Sequence, residues 1–109
     1  MDDLAYKIKA DFLKVLAHPV RLQIIELLKS GEEKVGNIAK SLEIPQSSLS
    51  RHLLVLREAG ILRPRQQGTL IYYSLEDRGI FQVLRPIAEM LRKKLKKTEV
   101  VLNSLGKEK

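Results

Sequence analysis

Cysteine is absent from the 109 residues of the chain. That excludes disulfide staples, iron–sulfur and thiolate metal sites and any switch based on thiol oxidation, and it fits an intracellular protein. Histidine occurs only as His18 and His52, too few and too poorly spaced for an imidazole metal site. The first is expected to cap a helix and the second to lie on a helix surface. No apolar run approaches the roughly 18 residues of a membrane span, and the opening Met1-Asp2-Asp3 is acidic where a signal peptide would be basic. A cytoplasmic protein with no membrane association is therefore expected. A Ser-His-acid set, a carboxylate pair and a phosphate-cradling glycine loop are all missing, so an enzyme is the class that fits least, with no catalytic residues and no cofactor.

What is present is positive charge. Twenty Lys and Arg stand against thirteen Asp and Glu, a formal charge of +7 and a pI near 9.8. Such a balance favours polyanionic partners. The length suits one domain, 1–109, able to bury about two-thirds of its unfolded surface in a thin core.

In chain order, Leu4, Ile8, Phe12 and Leu16 form the stripe of a helix over residues 2–17, with Asp2 and Asp3 where the helix dipole favours negative charge. His18-Pro19 ends it. The residue before a proline avoids helical geometry and proline is tolerated at the first helical position, so His18 is expected to cap a second helix from Pro19 to Lys29. That helix is apolar almost all round, through Val20, Leu22, Ile24, Ile25, Leu27 and Leu28, and belongs in the middle of the fold. Ser30-Gly31-Glu32-Glu33 closes it.

Residues 35–60 follow as two short helices joined by a tight turn. Val35, Ile38, Ala39 and Leu42 keep helical spacing, Glu43-Ile44-Pro45 interrupts it, and Leu49, Leu53 and Leu56 resume it before Gly60. Pro45 suits the first turn of the second helix and Gly60 its left-handed end. The opposite face of that helix carries Gln46, Ser47, Ser48, Ser50 and Arg51. Gln and Arg make paired hydrogen bonds to adenine and guanine edges, and small Ser side chains let the backbone approach and reach phosphates. A helix-turn-helix reader of double-stranded DNA needs this combination.

Over residues 61–75 the period changes to that of a β-hairpin, with Gln66-Gln67-Gly68 at the turn and Pro64 marking an edge strand. Ile71, Tyr73 and Leu75 fall on one face, Leu70 and Tyr72 on the other. The expected tip carries Arg63, Arg65, Gln66 and Gln67 beside Gly68, all suited to phosphates. A last helix over residues 77–105 starts at Glu76-Asp77, runs through Ile80, Leu84, Ile87, Leu91 and Leu95, and holds Pro86, where a kink or a short preceding turn is expected. Arg92, Lys93, Lys94, Lys96 and Lys97 read as a solvated basic face. Two apolar terminal helices offer more stripe than one small core needs, which points to a symmetric homodimer built from the first and last helices.

Three blocks together resemble the ArsR/SmtB family of winged-helix repressors: Lys14-Val15-Leu16-Ala17-His18-Pro19-Val20-Arg21-Leu22, Ser47 through Leu62, and Gly68 with Tyr72-Tyr73-Ser74-Leu75. The likeness runs from about Phe12 to about Leu91. It implies a mainly α winged helix-turn-helix with a two-stranded wing, dimerising through its terminal helices. It also implies DNA-reading positions at Gln46, Ser47, Ser50 and Arg51 and wing contacts around Arg65 to Gly68. The family's metal sites are not matched. Val35 and Asn37 stand near the positions of its thiolates, and Asp77 is followed by Gly79, Met90 and Lys93 at the positions of the other interhelical ligands. One carboxylate, no imidazole and a lysine cannot balance a zinc ion.

The expected function is thus a sequence-specific regulator, a repressor, bound as a homodimer to an inverted repeat and not sensing metal through those sites. The sequence names no effector. Two other classes share these features: a DNA-coating or architectural protein, favoured by the +7 charge, and a winged-helix protein-interaction module.

Overall fold

A computed structural model describes residues 2–107, and the chain divides into two compact units, 1–78 and 79–109. Met1, Glu108 and Lys109 lie outside the described residues. The first unit runs α1 (Asp3–Leu16), α2 (Pro19–Leu27), a 3₁₀ turn (Leu28–Ser30), β1 (Glu33–Lys34), α3 (Val35–Leu42), α4 (Gln46–Glu58), β2 (Leu62–Gln67) and β3 (Leu70–Leu75). The second is one helix, α5 (Ile80–Lys107).

The helix ends follow from local chemistry. Asp2 accepts from the Leu4 N–H at 2.9 Å, and His18 Nδ1 accepts from the Val20 N–H at 3.1 Å. Each satisfies an amide that the first turn leaves without a partner. The His18 cap is as expected. Helix α2 is shorter than expected, because the chain tightens into the 3₁₀ turn after Leu27 and Gly31 follows at φ 136°, ψ −172°, a conformation open to glycine.

Helices α3 and α4 both end in the same double hydrogen-bond motif. After α3, the Glu43 and Ile44 amides donate to the Lys40 and Ala39 carbonyls; after α4, the Gly60 and Ile61 amides donate to Arg57 and Leu56. Such an ending places one residue in the left-handed region. Gly60 takes it at φ 76°, but in the turn between the two helices Glu43 takes it at φ 55°, a conformation that crowds a side chain. Pro45 is the residue just outside α4 rather than within its first turn.

The first unit closes over Leu16, Ile24, Ile25, Leu28, Ile38, Leu49, Leu53 and Leu56, all buried, with Ile61, Leu62, Tyr73 and Leu75 from the sheet side. Full burial of each large aliphatic chain contributes about 1.5–3 kcal/mol. Ile24 and Ile25 place α2 in the middle, as its apolar character requires, although Leu22 stays 40% exposed. No charged or polar residue is buried among those described.

The sheet has three strands, not two, in the order β1-β3-β2, all antiparallel. Strand β1, two residues with no readable period, pairs Glu33 with Tyr73 and Lys34 with Tyr72. Glu33 also accepts from the Lys34 amide and from Asn37 Nδ2, closing the start of α3. Those two donors, Asn37 first, hold its carboxyl below the ordinary glutamate range. Strand β2 is an edge strand, as Pro64 requires. Gln66 and Gln67 belong to β2 and the turn is Gly68-Thr69, with Gly68 at φ 63°.

In the second unit the helix starts at Ile80, after a turn, rather than at Asp77, and continues through Pro86. It exposes Ile87, Leu91, Leu95 and Leu102, from 43% to 69%.

Candidate nucleic-acid interface

Leu49, Leu53 and Leu56 anchor α4 by one buried face. The helical period then sends Gln46, Ser47, Ser48, Ser50 and Arg51 outward, and all five are exposed. No side chain caps α4. The Ser48 and Leu49 amides donate to the Pro45 carbonyl, and the amides ahead of them lie at the helix N-terminus beside these residues, where anionic oxygens are favoured. Ser50 Oγ donates to the Gln46 carbonyl at 2.9 Å. Its proton is spent within the helix, and what it offers outward is an acceptor.

The wing residues do not cluster at a tip. The pleat sets Arg63, Arg65 and Gln67 on one face of β2 and Gln66 on the other. Arg63 sits at the base, paired with Ser74, its Nε 3.7 Å from a Glu76 carboxylate oxygen. Arg65 is held more firmly. Its Nε and one terminal nitrogen donate to the two Glu32 oxygens at 2.9 and 2.7 Å, a second terminal nitrogen donates to Gln67 Oε1 at 3.0 Å, and the guanidinium lies 4.6 Å from the Tyr72 ring centre. Hydrogen bonding to Arg65 lowers the Glu32 pKa, and the same bond raises that of Arg65. Gln66 Nε2 donates to the Gly68 carbonyl at 3.2 Å, bracing the turn.

A third group escaped the sequence reading. The His18 and His52 rings meet with centres 4.3 Å apart, and Arg21 donates from Nε to His52 Nδ1 and from a terminal nitrogen to the Val15 carbonyl, each at 3.1 Å. These tie α1, α2 and α4 together. His52 is partly buried rather than on the helix surface. Burial first, then the charges of His18, Arg21 and Arg51, pushes its pKa down. The contact joins residues 31 positions apart, and no local pattern announces it.

Residues 18–63, which hold α2, the helix-turn-helix and the start of the wing, match the bacterial regulatory protein, arsR family. An uncharacterised HTH-type transcriptional regulator of Mycobacterium tuberculosis, Rv0081, is 38% identical over 92% of this chain and 89% of its own. The chain belongs to the arsR family. The transcriptional repressor PagR of Bacillus anthracis is 42% identical over 72% of this chain and 82% of that protein. Among solved structures, that of Rv0081 superposes with a TM-score of 0.78 at 36% identity, covering 89% of this chain and 97% of that one. The homodimeric winged helix-turn-helix DNA-binding domain of Mycobacterium bovis Mb0332 superposes at 0.74 with 26% identity, covering 85% of this chain and 89% of that one.

The positions read for metal carry few donors in this chain. Val35 and Asn37 open α3 without a thiol, and Gly79, Met90 and Lys93 accompany Asp77. Among the described residues no three His, Cys, Asp or Glu side chains gather as ligands would.

Proposed function

We propose that this arsR-family protein is a transcriptional repressor that binds an inverted-repeat operator as a homodimer, one α4 in each of two successive major grooves. The observation that carries it is the exposed Gln46, Ser47, Ser48, Ser50 and Arg51 edge on a helix whose opposite face is anchored by three buried leucines. Arg51 and Gln46 read base edges, Ser47 and Ser48 reach the backbone, the small Ser50 lets the helix approach, and Arg63, Arg65 and Gln67 on one face of the wing lie toward flanking phosphates, with Gln66 and Gly68 shaping its turn. The repeat centres stand about one turn of duplex apart.

The homodimer reading is supported by the terminal helices, each through its own exposed face. Leu4 and Ile8 of α1 are 59% and 60% exposed, and Leu95 and Leu102 of α5 are 69% and 62% exposed. Apolar stripes of this kind are normally covered, here by the copies of the same helices. The two units then serve as one functional domain over residues 1–109. No helix among the described residues is long and apolar enough to cross a membrane, which agrees with work in the cytoplasm.

A randomised duplex library, with the bound fraction sequenced and the complex sized, tests this. An enriched palindrome bound by two chains is expected. Equal recovery of all sequences identifies a DNA-coating protein, and no salt-sensitive binding identifies a protein-interaction module. Replacing Arg51 with Ala costs about 1–3 kcal/mol and relaxes preference at one base pair per half-site.

A further inference from the structure

Where α2 and the first turns of α4 meet, His18, Arg21, Ser47, Ser48, Arg51 and His52 line an open notch of about 550 Å³. Its chemistry is one-sided. Two arginines and two imidazoles converge with two hydroxyls, and no carboxylate lines the notch. Neither Arg21 nor Arg51 has an ion pair among the described residues, whereas Arg63, Arg65 and Arg92 each face a carboxylate. Like charges held together without a counter-ion repel, and a bound anion reverses the sign of that interaction.

The hydrogen bonds already made sharpen the point. His18 Nδ1 and His52 Nδ1 both act as acceptors, from the Val20 amide and from Arg21, so each neutral ring carries its proton on Nε2. The remaining capacity of the notch is therefore donors: two Nε2–H groups, the unused guanidinium N–H groups and the hydroxyls of Ser47 and Ser48. Several donors gathered around one notch suit an anion with several acceptor oxygens.

We propose that this α2–α4 notch is a phosphate-binding site, with Arg21 and His52 as ligands alongside Ser47, Ser48 and Arg51. The phosphate comes either from a DNA backbone or from a free phosphorylated molecule. Its DNA source rests on the regulator reading given above; the site itself does not. With DNA as source, the notch fixes where α4 enters the groove, and Arg21 and His18 extend the contact from α4 to α2. Val15 helps by accepting from Arg21, which aims the guanidinium.

The test begins with the full chain titrated with inorganic phosphate against chloride at matched ionic strength, followed by NMR of the histidine rings. Saturable shifts at His52, with its titration moving to higher pH, are expected. Ser48→Asp, an exposed change that puts a carboxylate at the notch, should abolish them. The second arm measures binding of the selected duplex and of an unrelated duplex by wild type, Ser48→Asp and Arg21→Gln, with circular dichroism as the check on folding. Loss of Arg21 should flatten the log–log salt dependence by about 0.9 per half-site on both duplexes, because a phosphate contact carries no sequence information. Ring shifts with an unchanged slope assign the site to a free phosphorylated ligand. Ring shifts in a protein that binds no duplex keep the site and remove the regulator reading. Absence of saturable shifts, or shifts that persist in Ser48→Asp, overturns the proposal.

Discussion

Arg65 presents a direct conflict, since the residue expected to meet a phosphate is already bound through two hydrogen bonds to Glu32 and rests on Tyr72. Phosphate and Glu32 compete for the same N–H groups, so the wing engages DNA only by exchanging one anion for the other. Neutralising one phosphate contributes about 0.9 to the slope of log affinity against log salt, so a fourfold rise in salt weakens binding about 3.5-fold for one wing and about 12-fold for both wings of a dimer. Arg65→Ala should remove that share of the salt sensitivity equally on every sequence. Glu32→Gln keeps the shape of the partner, weakens its hold and removes a negative charge from beside the backbone, so affinity should rise at low salt. Fluorescence anisotropy of a labelled duplex at four or more salt concentrations reads both variants. An unchanged slope in Arg65→Ala, with unchanged affinity in Glu32→Gln, would show that the ion pair survives in the complex and that the wing arginine never reaches the duplex.

Three further outcomes follow from the geometry. Leu53→Ala, at a side chain of α4 only 2% exposed, should cost about 2–5 kcal/mol in urea denaturation; a loss below 1 kcal/mol would mean that the site collapses freely around the gap. Glu43→Gly should stabilise the turn by about 0.5–1 kcal/mol, the strain of a left-handed side chain being larger than the chain entropy that glycine adds; destabilisation would place an unrecognised contact at that side chain. His52 has a folded pKa below its ordinary 6.5, so the unfolded chain takes up this proton first. Its share of stability is therefore present above the ordinary value and is lost as pH falls from there through the lower folded value. Melting points measured across that range should drop more steeply for wild type than for His52→Gln, and parallel curves would remove His52 from the account.

The helices were legible because their signals are local. Asp2, His18-Pro19 and Gly60 mark ends by their own chemistry, and Leu49, Leu53 and Leu56 mark the buried side of α4 by spacing alone. The exposed edge of α4 followed from the same period. What could not be read was set by partners distant in the chain. Strand β1 exists because Tyr72 and Tyr73 offer it a free side of β3. The Arg65–Glu32 pair joins residues 33 apart and the Arg21–His52 bond joins residues 31 apart. The wing's turn keeps Gly68 but begins two residues later than Gln66 for a related reason: the pairing of Gln67 with Leu70 is fixed across the strands, while Gln-Gln-Gly resembles a turn only in isolation.

Strand β1 is short, yet it leads directly into α3 and is zipped to the middle strand of the sheet. The wing and the helix-turn-helix are therefore geared together. A bend forced on the hairpin by a bound duplex would reach the helix pair through the two β1 residues paired with β3. On the proposed binding mode, duplex shape in the flanks of the site would then be felt at its centre.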